Sequence, residues 1–281
     1  MDILQYEFMR NALLVGILAS IACGIIGSYV VVKRLVFISG SISHTAYGGI
    51  GLGYFLGYNP MLGAGVFTLI SALAMGVISQ KTTQREDTII GMMWAVGMAI
   101  GIIFISLSSG YTSDLMSYLF GNILTVPSSD LYLVIAMDLI IIAVVVLFFE
   151  ELKAYAFDEE YAKVSGVKTE RLNLVLLCLI ALTVIVMMRV VGIILVIALL
   201  TMPPAVATHY TWSLKSLMII SGLLGILFTT SGLIISYFFN IPSGATIILV
   251  AGAVFLISYL TTYFKQTVEL RNSIKDHNIN I

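Results

Sequence analysis

Charged and imidazole side chains are scarce in this chain, and two of them, His44 and Asp138, fall inside long apolar runs. Ionisable groups in the hydrocarbon region of a bilayer are costly and are functional candidates by default. Arg34 marks one end of the run that holds His44. At a rise of 1.5 Å per residue, His44 sits about 15 Å beyond it, near the midplane of a core about 30 Å thick. The surrounding residues, SGSISHTAYGG, are small and hydroxyl-rich, unlike a lipid-facing stripe. Two readings follow: an imidazole bonding a neighbouring helix carbonyl, or a transient ligand for a transition metal, since neutral histidine suits zinc and other first-row ions. One histidine does not hold a metal tightly, but a two-fold dimer with its pathway on the axis supplies two. Weak holding suits a conduit, because the ion must leave again.

Asp138 reads as a carboxyl paired to a neighbouring polar group or kept protonated, with a transport role as the alternative. Asp87 and Thr88, after Glu86, stand where they would cap the next apolar helix. His209 and His277 fall at a cytoplasmic helix end and in a polar tail, where solvation is expected. Met92, Met93 and Met98 read as packing, as do Cys23 and Cys178, which have no C-x-x-C spacing. Neither H-E-x-x-H nor G-x-S-x-G occurs, so no motif supports an intramembrane enzyme.

The elements that must hold these groups are set by composition. Of 281 residues, 59% are hydrophobic and 10% charged, against about 45–50% and about 25% in soluble domains. Apolar stretches of about 20 residues match the length a spanning helix needs. The alternation of a membrane barrel is absent. The expected class is all-α, a polytopic transmembrane bundle of about nine spans, near 11–32, 35–57, 60–79, 88–108, 130–149, 172–188, 190–208, 214–238 and 244–263. Only Arg189 separates the sixth and seventh, so that pair also reads as one broken element. DLMSYLFGNILTVP is too short to cross and too apolar for a free loop, which predicts a re-entrant or interfacial helix. Pro203, Pro204 and Pro242 are expected to interrupt or end helices and to turn freed carbonyls toward protein or a wet cavity.

Formal net charge is −1, so the overall balance specifies no partner. Placed outside, the amino end leaves only Arg10 and Arg189 of the 14 Lys and Arg on that face. The positive-inside rule therefore puts the amino end out and the carboxyl end in. The outer loops then lie near Tyr58, Tyr111 and Pro242. The first residues, MDILQYEFMRNALLVG, lack a basic leader with a small-residue cleavage site and read as retained. Residues 1–264 read as one transmembrane domain and 265–281 as a polar cytoplasmic tail. In the long inner loop, about 150–171, DEEYAKVSG reads as a short helix with Asp158 as N-cap and Gly166 at its end. A charged helix of this kind suits docking to a cytoplasmic partner, with a bare surface helix as the alternative.

Six segments together resemble one family, the permeases of ABC-type zinc, manganese and iron importers. They are VVKRLVFISGSISHTAYGGIGLG, EDTIIGMMWAVGMAIGIIF, DLMSYLFGNIL, AFDEEYAKVSGV, VGIILVIALLTMPPAVA and SYFFNIPSGATIILV, in family order from about residue 30 to about residue 250. The resemblance implies a homodimer in a prokaryotic cell membrane, two cytoplasmic ATPase subunits and an extracytoplasmic metal-binding protein that delivers the ion. On that resemblance the chain is not catalytic and keeps no permanent cofactor. Phe157, Asp158, Ala162 and Gly166 carry over as ATPase-coupling positions and His44 as a pathway residue.

One departure stands out. Many members carry Asp four residues before the histidine, on the same helix face. Here that residue is Gly40, so the expected ligands beside His44 are hydroxyls such as Ser41 or Tyr47. The expected activity is import of a divalent metal by alternating access. The alternatives are an importer of a metal chelate or cobalamin-like cargo, and a secondary transporter using Asp138 and His44 as a proton relay.

Overall fold

A computed structural model describes residues 5–82, 86–108 and 115–279. The described residues are helical, without strands. In chain order the helices are α1 Glu7–Val32, α2 Val36–Leu56, α3 Pro60–Lys81, α4 Glu86–Leu107, α5 Leu115–Phe120, α6 Ser128–Leu147, α7 Phe149–Phe157, α8 Glu159–Val164, α9 Thr169–Val191, α10 Ile193–Ala207, α11 Leu214–Phe239 and α12 Ser243–Ile279. One 3₁₀ turn, Ile123–Thr125, joins α5 to α6.

Seven are long and apolar enough to cross a membrane: α1, α3, α4, α6, α9, α11 and, within α12, Ser243–Lys265. The expected nine is not reached by this criterion. α10 has 15 residues, and α2 is diluted by glycine, serine, threonine and histidine. α1 and α9 form the buried centre, each with 67% of its apolar window covered, whereas α4 has 22%. α2 lies between α3 and α4, and α6 packs on α1 and α9.

Glycine sets these approaches, because lipid supplies no hydrophobic drive between helices and small residues let backbones meet. A Cβ on Gly49 would stand 2.1 Å from the Gly63 carbonyl oxygen, so α2 and α3 touch through bare backbone. α4 closes the other side, where a Cβ on Gly101 would stand 2.4 Å from the Tyr47 oxygen. These two contacts fix the rotation of α2 and therefore the direction of His44.

Three sequence expectations need correction. The break between the sixth and seventh spans falls at Gly192, with φ +85°, and not at Arg189, which lies in the last turn of α9. Gly192 meets Gly121 backbone to backbone, so a side chain on either would collide with the other's strand of chain. Pro203 and Pro204 do not end a helix; α10 continues through both to Ala207. The carbonyl of Leu200, freed by the missing N–H of Pro204, faces Gly27 of α1, where a Cβ would stand 2.4 Å away. The freed group therefore meets protein. His209 is not simply solvated: its Nδ1 is 2.8 Å from Ser258 Oγ on α12. The side chains of Glu86 and His277, and the loop at Tyr111, lie outside the described residues, as does the cap of α4. The tail beyond residue 264 continues α12 as helix to Ile279.

Candidate functional site

His44 stands midway along α2 and is half-buried. Its ring stacks on Trp94 of α4, with centroids 4.2 Å apart and planes 12° from parallel. Its Nδ1 is buried and finds no hydrogen-bond partner among the described residues. Trp94, 37% exposed, donates its indole N–H to Met98 Sδ at 3.2 Å. Met98 is thus engaged with the aromatic face of the site rather than serving only as packing.

Ser41 and His44 lie one turn apart on α2, and Tyr47 follows one turn beyond His44, about 120° around the helix from Ser41. Ser41 is fully buried, and its hydroxyl donates to the Ile90 carbonyl of α4 at 3.0 Å, which leaves its lone pairs as acceptors. Tyr47 is buried, with its carbonyl against Gly101 of α4 and its side chain in a cluster with Ala64 of α3, Met188 of α9 and Ile193 of α10. Beside them the Gly40 position is open: a Cβ there would meet only the Trp94 ring, at 4.0 Å. Among the described residues no three His, Cys, Asp or Glu side chains come together. The site within one chain is one imidazole with neutral oxygen donors, weak and reversible toward a cation.

Asp138 sits elsewhere, on α6 within the α1 side of the bundle. Both its carboxylate oxygens are buried without a hydrogen-bond partner among the described residues, and it faces the Cys23 neighbourhood of α1. Arrangement on a different helix pairing separates it from the α2–α4 contact that holds His44.

A polar feature at the other end of α6 had no sequence signal. Asp130, in the first turn of α6, receives a two-pronged bond from Arg189 of α9, at 2.8 and 2.9 Å. Such a paired fork is directional as well as strong. It lines a concavity of about 620 Å³ with Tyr118, Asn122 and Met188. The short α5 packs beside it on α9 and α10, and Tyr118 Oη is 3.3 Å from Tyr54 Oη of α2.

At the opposite end, Asp158 caps α8 by accepting from the Tyr161 N–H at 2.9 Å. Gly166 follows the helix with φ +86°, a conformation that favours glycine. Ala162 is fully buried, while Phe157 and Val164 are exposed, 56% and 89%. α8 is tied to α1 by an ion pair of Lys33 Nζ with Glu159 at 2.6 Å, and the same ammonium lies 3.8 Å over the Tyr155 ring. A further helix, α7, precedes this motif without a signal in the sequence reading; it follows α6 after a break at Phe148. Glu150, Ala154, Phe157, Asp158 and Tyr161 border a shallow hollow of about 230 Å³ between the two short helices.

Among the described residues the chain is a polytopic helical bundle with seven helices long and apolar enough to cross a membrane and a capped short helix at one end. The chain belongs to the ABC 3 transport family, whose profile matches residues 5–262. It is 43% identical over 240 residues to a probable metal transport system membrane protein of Chlamydia pneumoniae, covering 83% of this chain and 82% of that one. It is 35% identical over 258 residues to the manganese transport system membrane protein MntC of Listeria monocytogenes, covering 92% of each. Among solved structures it resembles PsaBC from Streptococcus pneumoniae in complex with Fab, with a TM-score of 0.80 and 33% identity over 90% of this chain and 91% of that one.

Proposed function

We propose that this chain is the membrane permease of an ATP-driven importer that carries a divalent transition metal into the cytoplasm by alternating access. Manganese and zinc are the leading cargoes and iron the next. The observation that carries the reading is the half-buried His44, whose Nδ1 has no hydrogen-bond partner among the described residues. An unpaired buried polar group costs about 1–3 kcal/mol, and a passing cation offsets that cost. Ser41, one turn from His44, adds an oxygen donor on the α4 side of α2, and Tyr47 remains a candidate one turn beyond. The manganese transport role named for the Listeria relative supports manganese.

A second copy completes the site. α4 is thinly covered in one chain, and its exposed Trp94 borders His44, so a partner placed there brings a second imidazole to the pathway. The 21 residues of α2 reach about 30 Å as a helix, enough to cross. Its polar groups face α3 and α4 rather than lipid, which explains its low hydropathy. α2 and the shorter α10 thus bring the crossings to nine, with the amino end outside in a prokaryotic cell membrane. Phe157, Asp158, Ala162 and Gly166 form the inner coupling element that receives a cytoplasmic ATPase. An extracytoplasmic protein delivers the ion on the face of Arg189. The chain hydrolyses nothing itself and keeps no permanent cofactor.

The test is uptake into proteoliposomes containing this chain and its ATPase subunit, with manganese, zinc, ferrous iron and a ferric chelate offered in competition. ATP-dependent uptake of free ions is expected. Uptake that persists without the ATPase, or preference for the chelate, would reject the reading.

A further inference from the structure

A second concavity, of about 600 Å³, opens on the side of the bundle formed by α1, α6 and α11. Ile21 and Ile25 of α1, Val146 and Phe149 around the end of α6, and Gly222 of α11 give it an aliphatic and aromatic wall. Its single charged lining residue is Lys215, in the first turn of α11. The Lys215 ammonium lies 5.1 Å from the Phe149 ring and makes no ion pair or hydrogen bond among the described residues. Ser213, at the N-cap, makes no side-chain cap, so the positive end of α11 beside Lys215 is left without one. Trp212, 95% exposed beside them, is the residue type that marks the level of lipid headgroups.

The length of the groove identifies its occupant. From Lys215 to Ile226 it follows α11 for about 16 Å. That is half of a hydrocarbon core about 30 Å thick, the reach of one leaflet. The floor is open at Gly222, where a Cβ would find only the Ser20 oxygen, at 3.9 Å.

We propose that this groove binds one acyl chain of an anionic phospholipid, with the net negative charge of its headgroup held by Lys215 at the first turn of α11. The assignment to the inner leaflet rests on the orientation proposed above, and that leaflet carries the negative surface charge that attracts lysine. The chemistry of the groove itself does not depend on the transported cargo, so loss of either reading leaves the other standing.

Native mass spectrometry of the delipidated full chain, titrated with phosphatidylglycerol and phosphatidylcholine of identical acyl chains, tests it. One lipid per chain is expected, with phosphatidylglycerol favoured by about fivefold, the effect of one lysine at an anionic surface. Lys215→Gln should bring the two lipids to equal affinity while leaving the unfolding temperature in detergent unchanged. Gly222→Leu should weaken both lipids by filling the groove. Equal binding of the two lipids to the unaltered chain would overturn the proposal. So would an unchanged preference in Lys215→Gln, or a Gly222→Leu protein that loses self-association but keeps its lipid.

Discussion

Replacing His44 by Phe separates its chemistry from its packing. The phenyl ring keeps the stack on Trp94, now at 4.2 Å between centroids, and removes both nitrogens. A stacked aromatic pair contributes about 0.5–1.5 kcal/mol beyond area burial, and the Nδ1 makes no hydrogen bond among the described residues whose loss would add to the cost. His44→Phe should therefore change folding stability by less than about 1 kcal/mol. His44→Ala also loses the stack and leaves space against Trp94, so it should be destabilised by about 1–3 kcal/mol. Transport should follow a different order. Loss of even an outer-shell partner costs a metal site about tenfold to a hundredfold, so both variants should lose at least about tenfold in metal uptake. The assay pairs initial uptake rates in proteoliposomes with thermal unfolding of the purified protein. A His44→Phe protein that imports metal at the unaltered rate would remove the imidazole from the pathway. Loss of transport that tracked stability alone would make His44 a packing residue.

Other substitutions probe neighbouring features. Gly40→Asp has room beside Trp94 and places a carboxylate one turn from His44; it should raise metal retained after dialysis by about tenfold and slow turnover, as metal analysis and uptake rates would show. Asp158→Ala should lose the α8 cap, about 1 kcal/mol, and with Gly166→Val, which forces a branched residue to φ +86°, should lower the yield of copurified ATPase; an unchanged yield counts against coupling at this loop. Gly49→Ala drives a methyl group onto the Gly63 carbonyl and should destabilise the protein by about 2 kcal/mol or more. Gly91→Ala, with open space around it, should leave stability unchanged or raise it by about 0.5–1 kcal/mol, and melting curves of the pair measure the difference.

The seven helices long and apolar enough to cross were legible in the residues, because each satisfies its backbone within its own segment, whereas α2 and α10 fall short by that measure and the short α7 carried no such signal. The same local logic exposed Asp158 and Gly166, since a cap and a positive φ are properties of a few neighbouring residues. It also exposed His44, because an ionisable group deep in an apolar run is conspicuous at any rotation of the helix. Pairing between helices is not local. Glycine against glycine, as at Gly49 and Gly63, decides which face of α2 turns inward, and glycine spacing in one run does not name its partner in another. The stack on Trp94, the donation of Ser41 to Ile90 and the isolation of Nδ1 all follow from that pairing. The Asp130–Arg189 fork joins residues far apart in the chain and has no short-range signature. The break at Gly192 depends on Gly121 pressing against it, and α10 runs through two prolines because α1 covers a freed carbonyl with a glycine. Sequence determined the helices and placed a histidine halfway along one of them. Only tertiary packing decided what that histidine faces, because in lipid the choice of contact rests on close backbone fit and not on hydrophobic burial.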